Sequence, residues 1–134
     1  LDSSGYAARA LKLGKNKWAP QRLHRYLIAP PAGMFVDHIN SVKLDCRLSN
    51  LRACTSYQNA QNSQKKRGCR SRFKGVCWFK PHGRWRARLM VNGKDVFCRY
   101  FKSEVAAALA YDVAAKKHHC GFAKLNFPGA ECEL

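Results

Sequence analysis

The sequence predicts an α+β protein made of two very small units, and three features carry that expectation. Arg84 to Val91 alternates strictly, with Trp85, Ala87, Leu89 and Val91 on one face and Arg84, Arg86 and Arg88 on the other. Asn92-Gly93 follows at once, the pair that a two-residue type I′ hairpin turn favours. After Ser103, Val105, Leu109 and Val113 recur every four residues beside Ala106, Ala110 and Ala114, a small-residue helical stripe suited to close packing on a sheet.

The first unit is expected over residues 1–62. Residues 1–21 alternate loosely around Tyr6, Ala8 and Ala10 and turn at Gly14-Lys15-Asn16, which suggests a hairpin. A short helix should run from Gln21 to Ile28 and end at Pro30-Pro31. Met34-Phe35-Val36 reads as a strand, with Asp37-His38 at its end. Residues 40–55 are polar and turn-rich, and Tyr57 to Asn62 reads as a short, amide-rich helix.

Residues 63–72 carry Lys65, Lys66, Arg67, Arg70 and Arg72 without an apolar period, the composition of a basic linker. The second unit then occupies residues 73–128, leaving 129–134 as a tail. A strand near Gly75 to Phe79 would complete a three-stranded antiparallel sheet. The two-residue turn pairs Arg88 with Phe97 and Arg86 with Arg99, so the arginine face should gain Phe97 and Arg99. Ser103 can cap the following helix, Glu104 suits its first turn, and Lys116, Lys117, His118 and His119 suit its last, with Gly121 closing it. That helix should cover the Trp85 and Leu89 face and leave the arginines open.

Lys and Arg number 25 against 8 Asp and Glu, a formal net charge of +17 over 134 residues. Such a balance calls for a polyanion, nucleic acid first. Membrane binding would need roughly 18 consecutive apolar residues or a basic helix with a strong apolar face, and neither occurs. The seven cysteines form no CxxC pair, which argues against a zinc ribbon. With no signal peptide at the start, free and mostly buried thiols in a reducing cytoplasm are expected. The chain begins at Leu1 rather than Met, and a missing N-terminal segment is expected.

Three arginines on one strand face repel one another and gain little by folding, so their use is binding. A twisted antiparallel sheet fits the major groove of B-DNA, where arginine reaches guanine, whereas the deep groove of A-form RNA excludes it. Double-stranded DNA is therefore the expected partner. Phe73-Lys74-Gly75-Val76, Gly83-Arg84-Trp85-Arg86-Ala87, Tyr100-Phe101, Ala106 to Asp112 and Leu125-Asn126-Phe127-Pro128 resemble the AP2 family of DNA-binding domains. The resemblance implies three strands packed on one helix, with the sheet in the major groove. Lys74, Lys80, Arg84, Arg86, Arg88, Phe97 and Arg99 are the expected DNA contacts, with Lys65, Lys66 and Arg67 of the linker. Cys77, Asp95 and Phe97 depart from that family's usual base-reading residues, so its target sequence does not carry over.

Phosphodiester hydrolysis needs an activated water, a cation to neutralise developing charge, and groups that position both. A strand ending in Asp37-His38 offers a hard oxygen ligand and a base pointing to opposite faces. An amide on the following helix can supply a neutral second oxygen for Mg²⁺, and another amide can hold the imidazole tautomer. Val36-Asp37-His38-Ile39-Asn40, Leu48-Ser49-Asn50-Leu51-Arg52 and Gln58-Asn59-Ala60-Gln61-Asn62 together resemble the phage-type homing members of the HNH endonuclease family, with their small ββα-metal fold. Asn50 follows His38 by 12 residues and Asn59 follows Asp37 by 22, both similar to that subgroup.

The resemblance implies Asp37 and Asn59 as metal ligands, with Asn62 the alternative to Asn59, His38 as general base and Asn50 as the residue that orients it. It implies a divalent metal, Mg²⁺ with Mn²⁺ as the alternative, and no small-molecule cofactor. Cys46 stands where these enzymes often carry Asn. The expected whole is a monomeric DNA-cutting enzyme tethered by its sheet unit, in the cytoplasm of a bacterial or phage-infected cell. A non-catalytic, AP2-type transcription regulator in a nucleus is the alternative, in which Asp37 and His38 are idle.

Overall fold

The computed structural model describes residues 1–65, 68 and 70–129. Lys66 and Arg67, two expected DNA contacts, lie outside the described residues, as does the tail beyond Gly129. The chain divides into two compact units, Leu1–Asn62 and Ser63–Leu134, each mixing small antiparallel sheets with short connections and helices.

In the first unit β1 (Ala8–Gly14) and β2 (Lys17–Arg22) pair around Lys15-Asn16, where Asn16 adopts φ 66°. Asparagine tolerates that left-handed conformation better than most residues. α1 (Leu23–Ile28) follows directly, and Ala29 closes it by donating its N–H to the Arg25 carbonyl before the proline pair. β3 (Phe35–His38) pairs with β4 (Leu51–Cys54), which corrects the turn-rich reading of residues 40–55. Four residues are too few for an alternation to stand out among polar neighbours. Thr55 then caps α2 (Ser56–Gln61) reciprocally: its hydroxyl accepts from the Gln58 N–H at 3.2 Å, and Gln58 Oε1 accepts from the Thr55 N–H at 2.9 Å.

Among the described residues this unit buries six polar side chains, His24, Asp37, His38, Asn50, Gln61 and Asn62, against two apolar ones, Leu51 and Cys54. Burying polar groups opposes folding unless each is hydrogen-bonded. Asp37, Asn50 and Asn62 are hydrogen-bonded within the unit, so its interior is held by polar contacts more than by apolar packing.

The second unit is a sheet of β5 (Val76–Phe79), β6 (Arg84–Val91) and β7 (Lys94–Phe101), covered by α3 (Glu104–His119). Asn92 and Gly93 both take positive φ, 51° and 78°, as the mirror-image turn requires. Ser103 Oγ accepts from the Ala106 N–H at 3.3 Å and caps α3. The buried helix face is Ala107, Ala108, Tyr111, Ala114 and Ala115, not the Val105 stripe, and Val105 is exposed. These residues pack on Phe73, Val76, Ala87 and Leu89.

On the buried face Tyr111 packs closely against Gly75, where an added Cβ would sit 2.0 Å from its ring. Gly75 also adopts φ +73°, so that position requires glycine twice over. Of the described cysteines only Cys54 is buried, which corrects the expectation of mostly buried thiols; Cys98 and Cys120 are exposed. No helix among the described residues is long and apolar enough to cross a membrane.

Asp112, buried on α3, fastens the chain that follows the helix. Its carboxylate accepts from the Asn126 N–H at 2.9 Å, from Asn126 Nδ2 at 3.0 Å and from the Phe127 N–H at 2.8 Å. Asn126 in turn accepts from the Lys74 N–H at 2.7 Å, joining both ends of the unit. Replacing Asp112 by Ala leaves those donors unpaired, and the expected cost is about 2–4 kcal/mol. Urea unfolding of the full chain, followed by the fluorescence of Trp78 and Trp85, should show that loss.

Candidate active site and basic sheet face

Asp37 and His38 are consecutive on β3 and contact different neighbours, as strand geometry requires. Asp37 lies directly across from Arg52 on β4, whose Nε and terminal nitrogen both donate to Oδ2, at 2.9 and 2.8 Å. Asn62, just past α2, donates its amide to Oδ1 and Oδ2 of Asp37 at 2.9 and 3.0 Å and to the His38 carbonyl at 3.0 Å. Asn59 is exposed, so the structure brings Asn62 rather than Asn59 to the carboxylate. Asn62 begins the turn that carries the chain off α2 and over the end of β3, whereas Asn59 lies one helical turn earlier.

His38 faces a second cluster. Its ring stacks on Tyr6 with centroids 5.8 Å apart and meets His24 of α1 edge-on at 5.0 Å, while Tyr6 and His24 lie 4.8 Å apart. His38 Nε2 and His24 Nδ1 are enclosed and find no hydrogen-bond partner. Asn50 does not reach His38, which corrects the role expected of it. Its Oδ1 accepts from the Asn40 N–H at 3.0 Å, and its Nδ2 donates to Asn40 Oδ1 at 2.9 Å and to the Asp45 carbonyl at 2.8 Å. Asn50 therefore braces the loop that leaves His38, together with Asp45, which Arg47 grips through two nitrogens at 2.7 and 2.6 Å.

Burial pushes the His38 imidazole below its ordinary range, although the Asp37 and Asp45 charges oppose that. Burial likewise lowers His24, aided by His38 and the nearby arginines, to about 4. Both rings are neutral at pH 7, the state a proton acceptor needs. His24 binds its proton near pH 6.5 when unfolded and only near 4 when folded, so its stabilising contribution is complete above pH 6.5. It is lost as the pH falls from there towards 4. Thermal unfolding of the full chain, followed through the amide signals of β3, should show a midpoint that drops across this window, by roughly 4–8 °C per kcal/mol lost.

On the sheet, Arg84, Arg86 and Arg88 share the face opposite α3. Arg86 holds its guanidinium 5.1 Å from the Phe79 ring centre, within an aromatic group of Phe79, His82 and Tyr100. Arg88 Nε donates to Asp95 Oδ1 at 2.5 Å. A groove of about 350 Å³ runs along Gly75, Cys77, Arg86 and Arg88 and includes Lys65 and Lys74. Lys74 donates from Nζ to the Ser63 carbonyl at 2.7 Å, and burial lowers its ammonium to about 8; Lys80 is exposed.

Phe97 and Arg99 are not on the arginine face. Val96 is an extra residue in β7, a bulge that shifts the pairing by one so that Leu89 opposes Phe97 and Ala87 opposes Arg99. A one-residue slip turns every later side chain over. Phe97 thus packs on the core, Arg99 lies over its ring at 6.0 Å, and Cys98 and Tyr100 take their places beside Arg88 and Arg86.

Residues 29–61 match the HNH endonuclease family model. That segment holds Asp37, His38, Asn50, Arg52 and Asn59. The chain is also 33% identical over 65 residues to protein 3.8 of Escherichia phage T7, a match covering 48% of this chain and 54% of that protein. Over 60 residues it is 47% identical to an AP2/ERF and B3 domain-containing protein of Oryza sativa subsp. japonica, covering 45% of this chain and 16% of that one. An AP2-like ethylene-responsive transcription factor of Arabidopsis thaliana is 41% identical over 59 residues, covering 42% and 10%. The chain spans about half or less of the length of these relatives. No solved structure matches.

The side chains around Asp37 can be compared with what a hard cation needs. Among the described residues no three His, Cys, Asp or Glu side chains gather into a metal cage. Mg²⁺ does not need one, because it keeps several waters and takes one or two protein oxygens. Asp37 offers the carboxylate oxygens, to which Arg52 and Asn62 Nδ2 donate here, and Asn62, just past the matched residues, is the side-chain amide beside it. Sequence reasoning passed over Arg52, His24 and Tyr6. Only Arg52 carried a signal, as the residue that an antiparallel β4 sets opposite Asp37.

Proposed function

We propose that the chain is a metal-dependent DNA endonuclease of the HNH type, in which the first unit hydrolyses the phosphodiester and the sheet unit holds duplex DNA. The observation that carries this reading is the Asp37-His38 pair on β3, buried at 6% and 5% exposure inside the segment that matches the HNH model. A neutral ring nitrogen of His38 takes a proton from a water molecule. The water oxygen attacks phosphorus as the bond to the leaving sugar oxygen breaks. When bound, Mg²⁺ or Mn²⁺ neutralises the charge that gathers on the phosphate and leaving oxygens. Asp37 would hold the cation with the amide oxygen of Asn62 or Asn59, and Arg52 fixes the carboxylate. Asn50 keeps the loop beyond His38 in place.

Supercoiled plasmid incubated with the protein and Mg²⁺ is expected to be relaxed or linearised, and EDTA is expected to stop the reaction. Binding without cutting under either Mg²⁺ or Mn²⁺ would overturn the nuclease reading. It would leave a DNA-binding regulator built on the AP2-like unit.

A further inference from the structure

We propose that His24 is a positioning residue for the base: its ring, with that of Tyr6, fixes the imidazole of His38. This rests on the nuclease reading above. A general base must be held within about 0.5 Å of its productive place. A histidine at the end of a strand can turn about two side-chain torsions unless something stops it. The hydrogen bond expected from Asn50 is absent, since that amide is engaged by Asn40 and the Asp45 carbonyl. What His38 meets instead is an edge-on ring at 5.0 Å and a stacked ring at 5.8 Å, two of the arrangements aromatic groups prefer.

Three separate parts of the first unit converge to make this enclosure. Tyr6 precedes β1, His24 sits on α1 and His38 ends β3. Tyr6 is itself pinned, with Arg22 and Lys43 over its ring at 4.8 and 5.0 Å, and Arg22 is anchored by Asp2 at 2.6 Å. His24 is 4% exposed and keeps Nδ1 enclosed without a partner. A leucine would fill such a place without burying an unsatisfied nitrogen, so cohesion alone does not account for an imidazole there. The HNH match begins at residue 29, after His24 and Tyr6, so the enclosure is supplied from outside the matched segment.

The test uses the full chain, a duplex substrate and Mg²⁺, with His24→Ala, His24→Leu and His24→Phe. A misplacement of about 1 Å can cost roughly 100-fold in rate. Accordingly, His24→Ala and His24→Leu should lower kcat by about 10- to 100-fold, with KM for DNA and the Mg²⁺ requirement unchanged. His24→Phe, which restores a ring against His38, should recover most of kcat. Relaxation of the His38 ring carbons by NMR should show a rigid ring in wild type and His24→Phe and a mobile one in His24→Leu. Full kcat in a folded His24→Leu protein, or a His38 ring that stays rigid in it, overturns the proposal. If wild type does not cut with Mg²⁺ or Mn²⁺, the nuclease reading fails by itself, and the relaxation data still decide whether His24 fixes His38.

Discussion

His38→Ala protein should cut plasmid at least about 100-fold more slowly than wild type, within the range that a lost general base costs, and should shift duplex DNA in a gel as strongly as wild type. The two readouts separate because the proposed base, His38, lies in the first unit, whereas the arginines of β6 lie in the second. The ring's neighbours make the variant informative. Removing it leaves Asp37 with both its partners, Arg52 and Asn62, so the carboxylate is not stranded as an unpaired buried charge. Undiminished cutting by pure His38→Ala protein would sink the mechanism. In the proposed mechanism the same side chain would set the acid limb of the pH profile. Only the neutral ring accepts a proton, and burial holds its pKa below the ordinary value of 6.5. The wild-type rate should therefore persist below pH 6.5 and fall only at a lower pH, as the ring becomes protonated.

The sheet unit was legible where a period ran long enough to count. Eight alternating residues and Asn92-Gly93 specify β6, its turn and the arginine face without further help. The register of β7 was not legible, because the bulge at Val96 carries no glycine or other residue that marks one. A single extra residue was enough to put Phe97 and Arg99 on the wrong side. Helix rotation failed for a similar reason: Val105 and Leu109 look like the apolar stripe, but Gly75 admits Tyr111, and the smaller alanines follow it inward.

In the first unit Asp37-His38 stood out as polar residues ending an apolar run. The neighbours that organise the pair did not. Arg52 becomes a partner only once β4 is paired in register, and His24 on a six-residue helix has no periodicity to reveal which way it faces. The candidate residues were thus visible as residue types, while the contacts that orient them depended on long-range pairing.

The largest effect expected on binding comes from salt. With about six phosphate contacts the log-log slope of affinity against salt should be about −5, and raising salt from 50 to 200 mM should weaken binding on the order of 10³-fold. The structure divides the β6 arginines unequally within that total. Arg84 is exposed and free to reach a phosphate, so Arg84→Ala should reduce the slope by about 0.9. Arg88 already neutralises Asp95, and its replacement would leave that carboxylate facing DNA unpaired. Arg88→Ala should therefore weaken binding through repulsion as well as through a lost contact, and Asp95→Asn should strengthen it. Replacing Arg84, Arg86 and Arg88 together by Ala should cost several kcal/mol of affinity at most, roughly 1–3 per base-contacting arginine. The Mg²⁺ requirement should not change, because Asp37 and its amide neighbours belong to the other unit. A flat slope in the wild type would remove this face as the DNA footprint, since a face that neutralises phosphates must release counterions when it binds.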